Sequence, residues 1–124
     1  LIHDNYYPEH VLRIPAEDWP EDVSNAFAEI NFPIYLKMQG PSEFGIVGDA
    51  SLKDWDVTSE LNKLEIPFLS IGAEHDTMDP KQMEWMANEV QNGLYLHCPN
   101  GSHMAMWDDT ENYFNGLIHF INNL

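Results

Sequence analysis

The spacing of apolar positions changes character part-way along the chain. Over Glu21–Ile30 the apolar residues Val23, Ala26, Phe27 and Ile30 recur at helical intervals, with Glu21 and Asp22 in the first turn, where the helix dipole favours acids. A shorter helix is predicted from Pro33 to Met38, stopped by Gly40-Pro41, while Pro8, Pro15 and Pro20 break any long element in residues 1–20. After Trp55 the pattern alternates between two periods. Thr58–Leu64 reads as a short helix with Leu61 and Leu64 inward, and the run Phe68–Ile71, apolar but for Ser70, as a buried strand. Lys81–Val90 places Met83, Met86, Ala87 and Val90 on one face, and Gly93 supplies a stop. Leu94–Cys98 is the next strand, and Asp109–Asn123 closes the chain as a helix with Tyr113, Phe114, Leu117, Ile118 and Ile121 inward.

Strand, helix, strand, helix at these lengths is an α/β pattern with parallel strands. Two strands alone leave both edges and one apolar face uncovered. A change of composition near residues 45 to 55 separates a helical, cap-like portion from a sheet-forming one. At 124 residues the chain has the size of one domain. It opens with Leu1 rather than methionine, and Ile2-His3-Asp4-Asn5-Tyr6-Tyr7-Pro8 reads like the middle of a sequence, so a piece of a longer protein is expected.

Charge narrows the partners. With 21 acids against five Lys and Arg the formal net charge is −16, which opposes binding to nucleic acid or to anionic lipid. The same field suits a cationic ligand such as a peptide with a free amino terminus, although surface carboxylates also serve solubility alone. The hydrophobic content of 44% rules out a disordered acidic tail. Cys98 is the only cysteine, so neither an internal disulfide nor a cysteine-rich zinc site is expected. No apolar run approaches the roughly 18 residues of a membrane span.

The stretch Leu69-Ser70-Ile71-Gly72-Ala73-Glu74-His75-Asp76-Thr77-Met78-Asp79-Pro80 delivers a carboxylate just beyond a strand, where parallel α/β proteins place their chemistry. Asp76 there is either an acid that orients a histidine or a cap for the helix starting at Pro80; Asp79 reads as that cap. The histidine is His103, in Pro99-Asn100-Gly101-Ser102-His103-Met104, the loop after the next strand. Such a loop holds an imidazole suited to moving protons, or simply an ordinary histidine. The nucleophile that would complete a triad is missing. None of Ser24, Ser42, Ser51, Ser59, Ser70 and Ser102 lies in Gly-x-Ser-x-Gly, and Cys98 has no oxyanion loop beside it. The nucleophile is therefore expected outside this chain. A metal site built from His75, Asp76, His97 and His103 is disfavoured, because no local pair has a recognised ligand spacing.

Gly40-Pro41-Ser42-Glu43-Phe44, Lys53-Asp54-Trp55-Asp56, Ile66-Pro67, Gly72 to Asp76, Pro80 and Gly101-Ser102-His103-Met104-Ala105-Met106-Trp107-Asp108-Asp109 together resemble the C-terminal part of the proline iminopeptidase family, α/β-hydrolases of the serine peptidase class. The resemblance covers essentially the whole chain. It implies the end of a helical cap domain in residues 1–48 and the last strands and helices of the hydrolase core in residues 49–124. It implies further that Asp76 is the triad acid, that His103 is the general base, and that Glu43 holds the substrate's amino group. Many members carry a second glutamate directly after the triad acid; this chain has Thr77 there, and Glu74 would substitute only if the backbone turns it inward. The family's serine and oxyanion loop belong to an N-terminal half of the same enzyme.

The expectation is thus a fragment of a serine aminopeptidase releasing N-terminal proline from peptides. It needs no cofactor, metal, nucleic acid or membrane, works in the cytoplasm as the intact enzyme, and is inactive as this chain alone. The alternatives are a fragment of another hydrolase of this fold, an esterase or amidase, and a non-catalytic peptide-binding or assembly module. The latter would pair its exposed strand edge with another chain, including a second copy of itself.

Overall fold

The computed structural model describes residues 5–41, 46 and 48–124. By packing, the chain forms two compact units: residues up to Asp18 together with Thr58–Leu124, and Trp19–Val57.

The larger unit is built on a pair of parallel strands, β1 (Phe68–Ala73) and β2 (Gly93–Cys98), in register from Phe68 opposite Gly93 to Ala73 opposite Cys98. A helix, Pro80–Glu89, joins them, as a parallel connection requires. Its start is fixed locally: Pro80 occupies the first turn and the Asp79 carboxylate accepts the Lys81 N–H at 2.9 Å. Met83, Met86, Ala87 and Val90 form its inward side, with Ala87 and Val90 buried. A single turn, Ala105–Asp108, and a long helix, Thr110–Asn122, complete the C-terminal end. The long helix approaches β2 closely at Gly116, where a Cβ would stand 2.5 Å from both δ-carbons of Leu96. A glycine inside a helix costs about 1 kcal/mol relative to alanine, and here it admits the strand's side chain. Among the described residues the helices, in chain order, are α1 (Tyr7–His10), α2 (Glu21–Ala28), α3 (Phe32–Met38), α4 (Pro80–Glu89), α5 (Ala105–Asp108) and α6 (Thr110–Asn122), with 3₁₀ turns at Ala16–Asp18 and Thr58–Lys63.

The buried centre lies under the carboxyl ends of the strands. Ala73, Cys98 and Ala105 pack together there, flanked by Ile71, Leu96 and Tyr113. The inward stripe expected of the last helix is only partly inward. Phe114, Ile118 and Ile121 are exposed, as is Leu94 of β2, and Leu64 lies out as well. Neighbouring strands are only about 5 Å apart, so a sheet this narrow covers one row of a helix and leaves the next uncovered.

The smaller unit is helical. Asn31 caps α3 by accepting the Ile34 N–H at 3.3 Å, and Gly40, at φ 109°, ends the helical path in the left-handed region. The Ser51 and Leu52 N–H groups then donate to the carbonyls of Lys37 and Met38, fastening the returning chain to that helix. Rings of Trp19 and Phe27 meet at 5.3 Å. Among the described residues, no helix is long and apolar enough to cross a membrane.

Candidate active site

Backbone pairing continues past the ends of the two strands. The Glu74 N–H donates to the Cys98 carbonyl at 3.1 Å and the His75 N–H to the Gly101 carbonyl at 3.0 Å, so the two following loops are joined before either carries a functional side chain. Gly101 makes this possible. A Cβ there would sit 2.7 Å from that of Ala105 and 3.1 Å from that of Asp109.

On this base the Asp76 carboxylate and the His103 ring meet: Nδ1 lies 2.9 Å from Oδ1. The same oxygen accepts the Met78 N–H at 3.0 Å and the Thr77 hydroxyl at 3.1 Å. Asp76 is 10% exposed in its side chain and His103 47%. Burial alone pushes the Asp76 carboxyl up, but the hydrogen bonds from His103 and Met78, the neighbouring imidazole and the Thr77 hydroxyl outweigh it, and the group is held below its ordinary range. An ionised carboxylate only accepts, so the facing Nδ1 carries the proton and the ring is fixed in that tautomer. The pair borders a hollow of about 230 Å³ with Ile71, Met78, Met83 and Met106 among its walls. Chemically, this is an imidazole whose orientation and positive form are both supported by a carboxylate.

The loop bearing His103 is held by acids and by a distant segment. Asp109, buried, accepts from the Asn100 N–H at 3.1 Å and the Asn112 side chain at 2.8 Å. Asp108 accepts the Ser102 N–H at 3.0 Å and receives the Ser102 hydroxyl at a short distance. That hydroxyl, fully buried, also lies 2.9 Å from the Val11 carbonyl. From the other side, the N–H groups of His103 and Met104 donate to the carbonyls of His10 and Val11, each at 2.9 Å. The Arg13 N–H reaches Asp108 at 3.1 Å, and its Nη1 reaches the Asn100 carbonyl at 3.2 Å. The holding roles of His10, Val11, Asp108 and Asp109 carry no sequence signal beyond the run Trp107-Asp108-Asp109.

The remaining candidates lie as follows. Glu74 is exposed, with its carboxylate 3.6 Å from His97 Nε2, and His97 Nδ1 is 3.2 Å from the Tyr95 hydroxyl. Glu43 lies outside the described residues. Cys98 is fully buried and its thiol is pushed up to about 11, by burial first and then by Asp109 and Asp108, so it is not a thiolate at neutral pH. Among the described residues, no three His, Cys, Asp or Glu side chains are grouped as metal ligands.

No family model matches the chain. Individual proteins do. It is 49% identical over its whole length to the proline iminopeptidase of Flavobacterium johnsoniae, and 44% identical over 98% of its length to that of Chitinophaga pinensis. In both cases it spans about 40% of the relative's length. Among solved structures, the proline iminopeptidase of Mycobacterium smegmatis superposes with a TM-score of 0.83 at 28% identity, covering 98% of this chain and 40% of that one. VinJ superposes with a TM-score of 0.82 at 31% identity, covering 95% of this chain and 39% of its own. The chain therefore has the fold of the C-terminal portion of an α/β-hydrolase, and it matches proteins named proline iminopeptidase along its whole length.

Proposed function

We propose that this chain is the C-terminal part of a serine aminopeptidase that releases an N-terminal residue, preferably proline, from short peptides. The observation that carries the reading is the 2.9 Å contact between Asp76 and His103, found in a chain whose relatives at 44% and 49% identity are proline iminopeptidases. In this reading the cap ends within residues 1–48 and the hydrolase core within residues 49–124, although by packing the helical unit is Trp19–Val57 and residues up to Asp18 belong with the strands. The serine and its oxyanion donors come from the N-terminal half of the same enzyme.

His103 Nε2 takes the serine proton as the hydroxyl oxygen attacks the scissile carbonyl, and the resulting imidazolium is supported by the Asp76 carboxylate. The same proton passes to the leaving amine as the carbon–nitrogen bond breaks, giving the acyl-enzyme. Water repeats the sequence, losing a proton to Nε2 while the serine oxygen regains one as the amino acid leaves. Glu43 pairs with the substrate's free ammonium, a charge-assisted contact whose strength grows as water is excluded. Glu74, directed towards His97, is the weaker candidate for that task.

The test is hydrolysis of a prolyl chromogenic substrate by the intact protein, by its His103→Ala variant and by this chain alone. The reading requires turnover only in the first; turnover by the bare chain that depends on His103 overturns it. Alanyl and ester substrates run in parallel separate it from an esterase or a differently selective amidase. Glu43→Gln should raise KM for free-amine substrates and leave amino-blocked ones unaffected.

A further inference from the structure

From the way one residue touches both loops of the site, we infer that His10 is a positioning residue for the Asp76–His103 pair. Its imidazole and its main chain act in different places. The ring's Nδ1 lies 2.9 Å from the carbonyl of His75, the peptide unit that leads directly into Asp76. Its own carbonyl accepts the N–H of His103 at 2.9 Å. A carbonyl only accepts, so Nδ1 carries the proton in this contact, in either the neutral or the charged ring.

The residue is itself firmly placed. α1 ends at His10, and the next two N–H groups, of Val11 and Leu12, both fold back to the Tyr7 carbonyl. Val11 and Leu12 are 3% and 0% exposed, so the segment is anchored by apolar burial on the same unit that carries the site. The Tyr6 ring lies against the imidazole at 4.6 Å and limits its rotation. The two loops are thereby tied twice: once by their own backbone pairing, and once through a third segment 65 residues from one and farther still from the other. A side-chain substitution at position 10 removes the tie to His75 and leaves the tie to His103, because the latter uses the main chain. His10 makes no contact with reacting atoms in this role; it fixes the distance between two groups that do.

The role rests on the aminopeptidase reading, and it is tested on the intact protein with His10→Ala, His10→Asn and His10→Gln. An asparagine Nδ2 stands near where the imidazole Nδ1 does, whereas a glutamine amide reaches past it. In His10→Ala, kcat for a prolyl substrate is expected to fall about tenfold with KM within about twofold, since small misplacements of reacting groups act on the chemical step. His10→Asn should restore most of that loss and His10→Gln should not. The downfield proton resonance of His103 Nδ1–H, read without substrate, should broaden or vanish in His10→Ala while the melting temperature shows the protein still folded. Equal kcat in all three variants, or an unchanged proton resonance in His10→Ala, overturns the proposal. Should the wild type show the resonance yet cleave no prolyl substrate, the substrate assignment fails, and the effect of His10→Ala on the resonance still decides the role of His10.

Discussion

His103 Nδ1 and Asp76 Oδ1 stand 2.9 Å apart across 27 positions of sequence, at the ends of neighbouring parallel strands. Replacing Asp76 by asparagine keeps the shape and removes the charge, and an amide that turns its N–H towards Nδ1 favours the wrong tautomer. In the intact enzyme, kcat is expected to fall by about 10⁴-fold, the scale of that exchange in a triad, with KM little changed. Steady-state kinetics on the prolyl substrate checks it; a loss below tenfold contradicts the assigned role.

The same carboxyl makes stability depend on pH. Its folded-state value is depressed below the ordinary 3.8, so the folded protein holds the proton less tightly than the unfolded chain. Stabilisation from this group is complete above about pH 3.8 and is lost as pH falls through the folded value. Urea titrations of wild type and Asp76→Asn should therefore show their largest stability gap near neutral pH and a shrinking gap below pH 3.8. A gap that stays constant over that range contradicts the linkage.

Ser102→Ala removes a buried hydroxyl that serves the Val11 carbonyl and the Asp108 carboxylate. Neither acceptor is left bare, since Val11 still receives the Met104 N–H and Asp108 those of Ser102 and Arg13. The cost should lie near the low end for a buried hydrogen bond, about 1 kcal/mol, measured as a shift in the denaturation midpoint.

Gly101→Ala is expected to be worse despite adding a single carbon. The new Cβ meets those of Ala105 at 2.7 Å, Asp109 at 3.1 Å and Cys98 at 3.2 Å, none of which can swing aside without moving backbone. A loss of about 1–3 kcal/mol is expected, together with reduced turnover because the His75–Gly101 pairing shifts. Thermal melts and kinetics on one preparation check both.

The sequence carries these features unevenly. β1, α4 and β2 are legible because each holds its own apolar period between a proline or glycine and the next turn, and Asp76 and His103 stand out because each lies in the short loop just beyond such a strand. Asp79 is readable as a cap for the same local reason. The clasp from residues 10–13 is not legible: it is made largely through main-chain groups, whose bonding leaves no residue signature, and its partners lie 65 to 95 positions away. The exposure of Phe114, Ile118 and Ile121 escapes the helical period too, because periodicity gives a stripe and not the width of what it faces.

The peptide-to-peptide links from Glu74 to Cys98 and from His75 to Gly101 have a bearing on how such a protein tolerates change. Any residue except proline can donate from positions 74 and 75, so the spacing of the acid and the imidazole is insulated from drift in the side chains there. Side-chain replacements at those two positions should accordingly leave the 2.9 Å contact between Asp76 and His103 in place.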